Sequence, residues 1–275
     1  MMEIPVTKYH GCGNDFVLMH ELDVKHIDPS ALAVEICNRN TGIGADGMIL
    51  AKQNPLTMLF YNADGSMAPM CGNGIRCFAR FCKEEGLASG EQFAVLTGDG
   101  VKKVEVTQEF PFQCRIFMGQ PKDDPKALGM SGKETLWDHE LTVQGRKVTL
   151  CSLFLATVHT VWFVEDAFDD ALLPLAREIH QHPFFPLKTN VNLVQVIDQN
   201  TIRMRTWERG VGLTLACGTG ACASVLTAYR KGLCAQNVTV ELAKGKLEVE
   251  ICDDESVYMT GPAQRVFKGR YFYEA

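Results

Sequence analysis

The chain has 275 residues, 46% apolar and 22% charged, enough to bury a sizeable core and more than one small domain needs. Its 27 basic and 33 acidic residues are intermixed, with a net charge of −6, and no Lys/Arg cluster marks a nucleic-acid or anionic-membrane partner. The N-terminal segment lacks a signal-like apolar stretch and no uncharged run is long enough to span a bilayer, so the expected location is cytoplasmic.

Residues 30–38 have helical spacing, with Asp28 or Ser30 as the N-cap. A second helix is expected over 75–85, stopped by Gly86. Residues 95–106 alternate around Gly98-Asp99-Gly100 and read as a hairpin. Residues 119–140, rich in Pro, Gly, Lys and Asp, are the expected linker. Beyond it come a hairpin over 141–150 turning at Gln144-Gly145 and a helix over 167–180. A hairpin over 192–207 and a helix over 221–231 before Gly232 complete the series. Short connections favour antiparallel pairing, and the class is α+β.

An internal repeat organises these elements. Cys71-Gly72-Asn73-Gly74 lies 146 residues before Cys217-Gly218-Thr219-Gly220, and each cysteine is followed 15 residues later by a helix-ending glycine. At the same offset Tyr61-Asn62 falls on Trp207-Glu208. Ala45 to Leu50 matches Thr189 to Val194 with a shift of two, and the alternating residues 93–106 match 238–251. Ordered matches of this kind imply two pseudo-symmetric domains, each presenting one cysteine at the start of a helix.

That placement puts each sulfur beside unpaired backbone N–H groups and the positive end of a helix dipole, a setting that favours thiolate. The glycines let backbone approach a ligand closely, and the free N–H groups suit a carboxylate. Two such thiols, from equivalent positions of two domains, suggest an acid and a base on opposite sides of one carbon. Inversion of an amino-acid stereocentre needs that pair, and the developing carbanion would be stabilised by the helix N-termini without a pyridoxal cofactor.

The same motifs resemble the diaminopimelate epimerase family across nearly the whole chain. They are His10-Gly11-Cys12-Gly13-Asn14-Asp15-Phe16, Thr41 to Gly47, Asn62 to Ser66, Cys71 to Cys77, Thr189-Asn190-Val191, and Glu208-Arg209-Gly210 through Ala221. The resemblance implies two barrel-like β domains, each around a central helix. It divides the chain into residues 1–118 and 119–263, with 264–275 returning to the first half. It implies conversion of LL- to meso-diaminopimelate for lysine and peptidoglycan synthesis, without cofactor or metal, in a homodimer. Cys71 and Cys217 match the acid–base thiols. Gly72, Asn73, Gly218 and Thr219 match the groups holding the reacting carboxylate and amine, while Asn14, Asn62, Asn190, Glu208 and Arg209 match the remaining substrate pocket. Where the family usually reads Gly-Asn-Pro-His, this chain has Ala156-Thr157-Val158-His159, so Thr157 replaces an amide. His159 is either a positioning group or a structural histidine. Met67 and Leu213 stand where glutamates are usual.

Other readings remain beside this one: a racemase of another amino acid such as histidine, a thiol oxidoreductase cycling the same cysteines, and a non-catalytic amino-acid-binding protein. The other nine cysteines sit in apolar helix or strand patterns and read as inert. Gly42-Ile43-Gly44-Ala45-Asp46-Gly47 follows a helix and precedes a strand, the reverse of a dinucleotide fingerprint. His180-Gln181-His182 reads as a solvated loop, not a metal site.

Overall fold

The computed structural model describes residues 2–132, 134 and 136–274. Lys133 and Thr135, within the expected linker, lie outside the described residues, as do the two terminal residues. Two compact units divide the chain: Met1–Ile116 with Gly261–Ala275, and Phe117–Thr260.

The first unit runs β1 (Met2–Gly11), β2 (Asn14–His20), α1 (Pro29–Cys37), β3 (Gly47–Lys52), β4 (Thr57–Asn62), β5 (Met67–Ala68), α2 (Gly72–Glu84), β6 (Gln92–Thr97) and β7 (Gly100–Glu109). The chain leaves it within β8 (Phe112–Gly119). The second runs β9 (His139–Val143), β10 (Arg146–Leu155), β11 (Thr157–Phe163), α3 (Leu173–His180), β12 (Asn190–Asp198), β13 (Thr201–Glu208), β14 (Gly212–Thr214), α4 (Gly218–Arg230), β15 (Asn237–Leu242) and β16 (Gly245–Ile251). The chain returns within β17 (Val257–Pro262), and β18 (Gln264–Tyr273) pairs with β1.

Strand pairing repeats element for element. The first unit pairs β18–β1, β1–β2, β3–β4, β4–β5, β6–β7 and β7–β8 antiparallel, and β2–β3 and β4–β6 parallel. The second pairs β9–β10, β10–β11, β12–β13, β13–β14, β15–β16 and β16–β17 antiparallel, and β11–β12 and β13–β15 parallel. Antiparallel pairing alone was expected; the parallel pairs arise where a helix carries the chain across, α1 or α3 in one case and α2 or α4 in the other. Register corrects the repeat as well. Phe16 pairs with Gly47 as His159 pairs with Asn190, so β3 falls on β12 with a shift of three residues, not two. Asn14 and Thr157 are then equivalent positions, as are Ile49 and Asn192.

Each sheet wraps a central helix. Helix α2 packs on β1–β4 and is buried on almost every face from Gly72 to Cys82; α4 packs on β10–β13, β15 and β16 and is buried from Gly220 to Ala228. The enclosed turns are mainly apolar, with Asn73 and Arg76 the buried polar side chains of α2 and Ser224 and Thr227 those of α4. On the other side of each sheet lies a shorter helix. Asp28 caps α1 by accepting from the Ser30 N–H at 3.2 Å, and α1 closes a second core with Val17, Met48 and Leu50. Helix α3 does the same with Val191 and Leu193.

The expected linker is part of this second core. Leu128, Met130 and Leu136 are buried in it, and Lys122 and Phe154 exchange backbone hydrogen bonds. The expected helix over 167–180 begins later, with a 3-10 turn over Asp170–Leu172 capped by Asp169, because Pro174 suits only the first turn of α3. His180 is buried rather than solvated: its Nδ1 lies 2.7 Å from the Thr189 carbonyl and tethers α3 to the start of β12. Among the described residues no helix is long and apolar enough to cross a membrane.

Candidate active site

Cys71 and Cys217 are the N-cap residues of α2 and α4. Both have extended backbone (φ −137°, ψ 124° and φ −126°, ψ 106°), and each sulfur accepts the N–H of the glycine three residues on, Gly74 at 3.5 Å and Gly220 at 3.4 Å. Cys71 is half-buried and Cys217 is 5% exposed. The glycines are required by proximity. A Cβ at position 220 would meet Asn192 Oδ1 at 2.5 Å, whereas at position 74 it would meet Ile49 Cδ1 at 3.1 Å and Cys71 Cβ at 3.3 Å.

In the first unit a chain of side chains stands beside Cys71. Arg76, 0% exposed, donates from Nη2 to Asn73 Oδ1 at 2.9 Å, from Nη1 to the Gly72 carbonyl at 2.9 Å, and from Nε to the Pro262 carbonyl at 3.1 Å. Asn73 Nδ2 donates to Asn14 Oδ1 at 3.0 Å, and Asn14 Nδ2 donates to Asp46 Oδ2 at 2.5 Å. Asn14 Oδ1 lies 3.7 Å from the Cys71 sulfur and accepts its S–H. Arg39 bridges Asp46 and Asp15 at 2.8 Å each, and Lys8 pairs with Asp15 at 2.9 Å. Burial pushes the Asp15 carboxyl up, but hydrogen bonds from Arg39 and Lys8 outweigh it and hold the group below its usual range. Asn62, at the end of β4, donates to Ser66 Oγ at 2.9 Å across a tight turn.

In the second unit Asn190, Thr157, Glu208 and Arg209 come together. Asn190 Oδ1 accepts the Arg209 backbone N–H at 2.7 Å. The Arg209 guanidinium donates to the Leu187 carbonyl at 2.9 Å and to the Thr157 hydroxyl at 3.3 Å. Glu208 Oε1 accepts the Thr214 hydroxyl at 2.6 Å. The Thr219 hydroxyl lies 3.6 Å from the Cys217 sulfur. His159 is fully buried with Nδ1 3.4 Å from Asn192 Nδ2; Nε2 has no hydrogen-bond partner among the described residues. Burial, aided by the Arg209 charge, pushes its pKa down to about 3, so the ring is neutral. Asn192 Oδ1 also accepts the Thr206 hydroxyl at 3.0 Å. The equivalent positions behind Cys71 are apolar: Phe16, Ile49 and Phe60, with the two rings 5.8 Å apart.

Several of the remaining cysteines are held as thiols by burial. Burial pushes Cys37 and Cys114 up to about 12 and Cys234 to about 11, and raises Cys77 and Cys82 further. Cys12 departs from the apolar strand pattern expected for it: it sits in the turn between β1 and β2 at φ 54°, with its sulfur 3.9 Å from Arg76 Nη2.

The family model described as Diaminopimelate epimerase matches residues 6–122 and 153–266. The chain belongs to the diaminopimelate epimerase family. It is 42% identical over 279 residues to the diaminopimelate epimerase of Alkaliphilus metalliredigens, covering 98% of each chain. It is 42% identical over 273 residues to that of Moorella thermoacetica, covering 96% of this chain and 98% of the relative. Among solved structures, the fold is similar to a probable proline racemase from Agrobacterium radiobacter (TM-score 0.72, 13% identity, 98% of this chain and 93% of that one). It is also similar to a hydroxyproline epimerase from Agrobacterium vitis (TM-score 0.69, 13% identity, 98% and 91%).

Within this family framework the structure brings Asn14, Asn73 and Cys71 together in one unit, and Thr157, Asn190 and Arg209 in the other. Thr157 accepts a hydrogen bond from the Arg209 guanidinium. The preceding Ala156 adopts φ 60°. Met67 and Leu213 occupy equivalent positions, paired with Tyr61 and Trp207, and both are exposed. Sequence reasoning missed the parts played by Arg76, Asp46 and Asn192. A signal existed for Arg76, the one charged residue inside the apolar run from Ile75 to Ala79.

Proposed function

We propose that this protein interconverts LL- and meso-diaminopimelate, using Cys71 and Cys217 as the acid–base pair, for lysine and peptidoglycan synthesis. One observation carries the mechanism: both halves end a strand–turn segment in a cysteine that caps a buried helix, with its sulfur on the N–H three residues later. Inversion requires one thiolate to remove the Cα proton from one face while the other thiol delivers a proton to the opposite face, after which the two have exchanged protonation states. The first-turn N–H groups of α2 and α4 are suited to the α-carboxylate, where they would stabilise the negative charge that develops as the proton leaves. Asn190 and the Arg209 guanidinium, held by Leu187 and Thr157, suit the distal carboxylate, and Glu208 suits the distal ammonium. We further propose cytoplasmic operation as a homodimer. Support for assembly comes from the resemblance and from Val266, Phe267 and Phe272 on β18, which are large apolar side chains left exposed in the chain.

The test is deuterium incorporation at Cα in D2O under reducing conditions, followed by NMR, with single stereoisomers of diaminopimelate, glutamate, alanine and histidine and no added cofactor. Diaminopimelate should exchange and invert. Cys71→Ala and Cys217→Ala should each abolish inversion while leaving wash-in of deuterium from one isomer detectable. Arg209→Met should lower kcat/KM for diaminopimelate by about 10- to 150-fold, the loss of a charged hydrogen bond worth about 1.5–3 kcal/mol. Faster racemisation of a mono-carboxyl amino acid would refute the substrate and leave the two-thiol chemistry standing.

A further inference from the structure

Four buried positions are apolar in the first unit and polar in the second. His159 stands where the first unit has Phe16, and the cross-strand pair Asn192–Thr206 stands where it has Ile49–Phe60. Ser224 on α4 and Phe78 on α2 each follow the capping cysteine by seven residues. All eight side chains are buried. The strand pairing around them is the same, so an imidazole, an amide and two hydroxyls in place of three phenyl rings and an isoleucine leave the second interior with room as well as polarity. Asn192 faces α4, because a Cβ on Gly220 would meet its Oδ1 at 2.5 Å, and Ser224 lies one turn further along the same helix face. Hydrogen-bond directions follow. The Thr160 carbonyl can only accept, and Asn192 Nδ2 lies 3.4 Å from it, while Asn192 Oδ1 accepts the Thr206 hydroxyl at 3.0 Å. Nδ2 therefore donates to His159 Nδ1, also at 3.4 Å. The ring is neutral, so its proton sits on Nε2. That N–H and the Ser224 hydroxyl are buried and have no hydrogen-bond partner among the described residues. A buried polar group left unpaired is costly, and ordered water is its usual partner where a site is both polar and roomy.

We propose that the polar interior against α4 is a water-binding site, in which ordered water accepts from the His159 Nε2–H and completes the hydrogen bonds of the Ser224 hydroxyl. The first unit has no counterpart, because phenyl rings fill the same positions, those of Phe16 and Phe60 lying 5.8 Å apart. The position of the water gives it a task. Asn192 stands against Gly220, whose N–H caps the Cys217 sulfur, and Asn192 is held in turn by His159. Water that takes the Nε2 proton's hydrogen bond keeps the imidazole in the tautomer that accepts from Asn192. It thereby keeps the oxygen of Asn192, and not its NH2 group, turned to Gly220. The site stands whether or not Cys217 acts as an acid–base group.

The test is NMR of the intact, reduced protein carrying nitrogen-15 histidine at neutral pH, with His159→Phe identifying the His159 signals by their loss. Nε2 should carry the proton, and that proton should give a nuclear Overhauser cross-peak at the water frequency. Ser224→Phe, which copies Phe78 and fills the space, should remove the cross-peak and leave the tautomer in place. A proton on Nδ1, an Nε2 proton without contact to water, or a cross-peak that survives unchanged in Ser224→Phe would each overturn the site. Should Ser224→Phe fail to fold, a crystal structure of the wild type decides in its place. Density for ordered water within about 3.2 Å of His159 Nε2 and of Ser224 Oγ is then the expected result, and density missing at either atom is the contrary one. Neither measurement needs turnover, so its failure is separate from failure of the deuterium assay.

Discussion

Replacing Arg76 with Met keeps the volume and apolar stem of the side chain and removes its donors. The guanidinium is fully buried and satisfies at least the carbonyls of Gly72 and Pro262 and the Asn73 amide oxygen, at 2.9, 3.1 and 2.9 Å. Hydrogen bonds from a charged donor contribute about 1.5–3 kcal/mol each, and carbonyls stranded in a core cost about 1–3 kcal/mol. Against this, Met abolishes the desolvation cost of a buried cation, several kcal/mol by itself. The Gly72 oxygen keeps its helical partner, so two acceptors bear most of the loss. The net expectation is a destabilisation of about 3 kcal/mol, or about 6–12 °C in the melting midpoint for a protein of this size. Activity should fall further than stability alone explains at 25 °C, because Asn73 loses the donor that orients its amide toward Asn14. Thermal unfolding by circular dichroism with kcat/KM on diaminopimelate measures both. A midpoint within about 1 °C of wild type would refute the view that this guanidinium ties α2 to the returning chain at Pro262.

Three further outcomes follow from particular residues. Ala156→Gly should stabilise by about 0.5–1 kcal/mol, since relief of a left-handed alanine exceeds the entropy cost of glycine, and a loss of stability in chemical denaturation would contradict it. Gly220→Ala should damage turnover and stability far more than Gly74→Ala. The new methyl meets an Asn192 oxygen pinned by Thr206 in one case and movable apolar ends in the other, so equal melting midpoints would be the contrary result. His159 binds no proton in the folded state until about pH 3 but binds one near pH 6.5 when unfolded. Its contribution to stability is therefore intact above pH 6.5 and is lost as pH falls toward 3, by about 1.4 kcal/mol per pH unit. His159→Phe, which copies Phe16 of the other half, should flatten stability against pH between 6 and 4 by that slope; parallel curves would show that the ring is not held neutral by burial.

The linear order of residues was sufficient for the duplication, the two cysteines, the hairpins and the helix stops, because each is written locally. A cysteine followed by glycines, an alternating run around Gly98-Asp99-Gly100, and Gly86 or Gly232 past a helix all act within a few residues. It also marked Asn14, Asn62, Asn190, Glu208 and Arg209, through motifs whose spacing matches the family. Tertiary structure decided what depends on partners distant in the chain. The parallel pairs β2–β3 and β11–β12 join segments with a helix between them, and their register sets Asn14 against Thr157 and β3 against β12 with a shift of three residues, where the linear match of Ala45–Leu50 on Thr189–Val194 has two. Weak periodicity over 119–140 suggested a linker, but Leu128, Met130 and Leu136 find their apolar neighbours on α3, β10 and β12, so burial rather than local pattern ordered that segment. Asp46 sat in a glycine-rich run and Arg76 in the short apolar run from Ile75 to Ala79. Their meaning arose only when the fold put one at each end of the Asn73–Asn14 pair, because hydrogen-bond direction is a property of the assembled chain of groups and of no single residue in it.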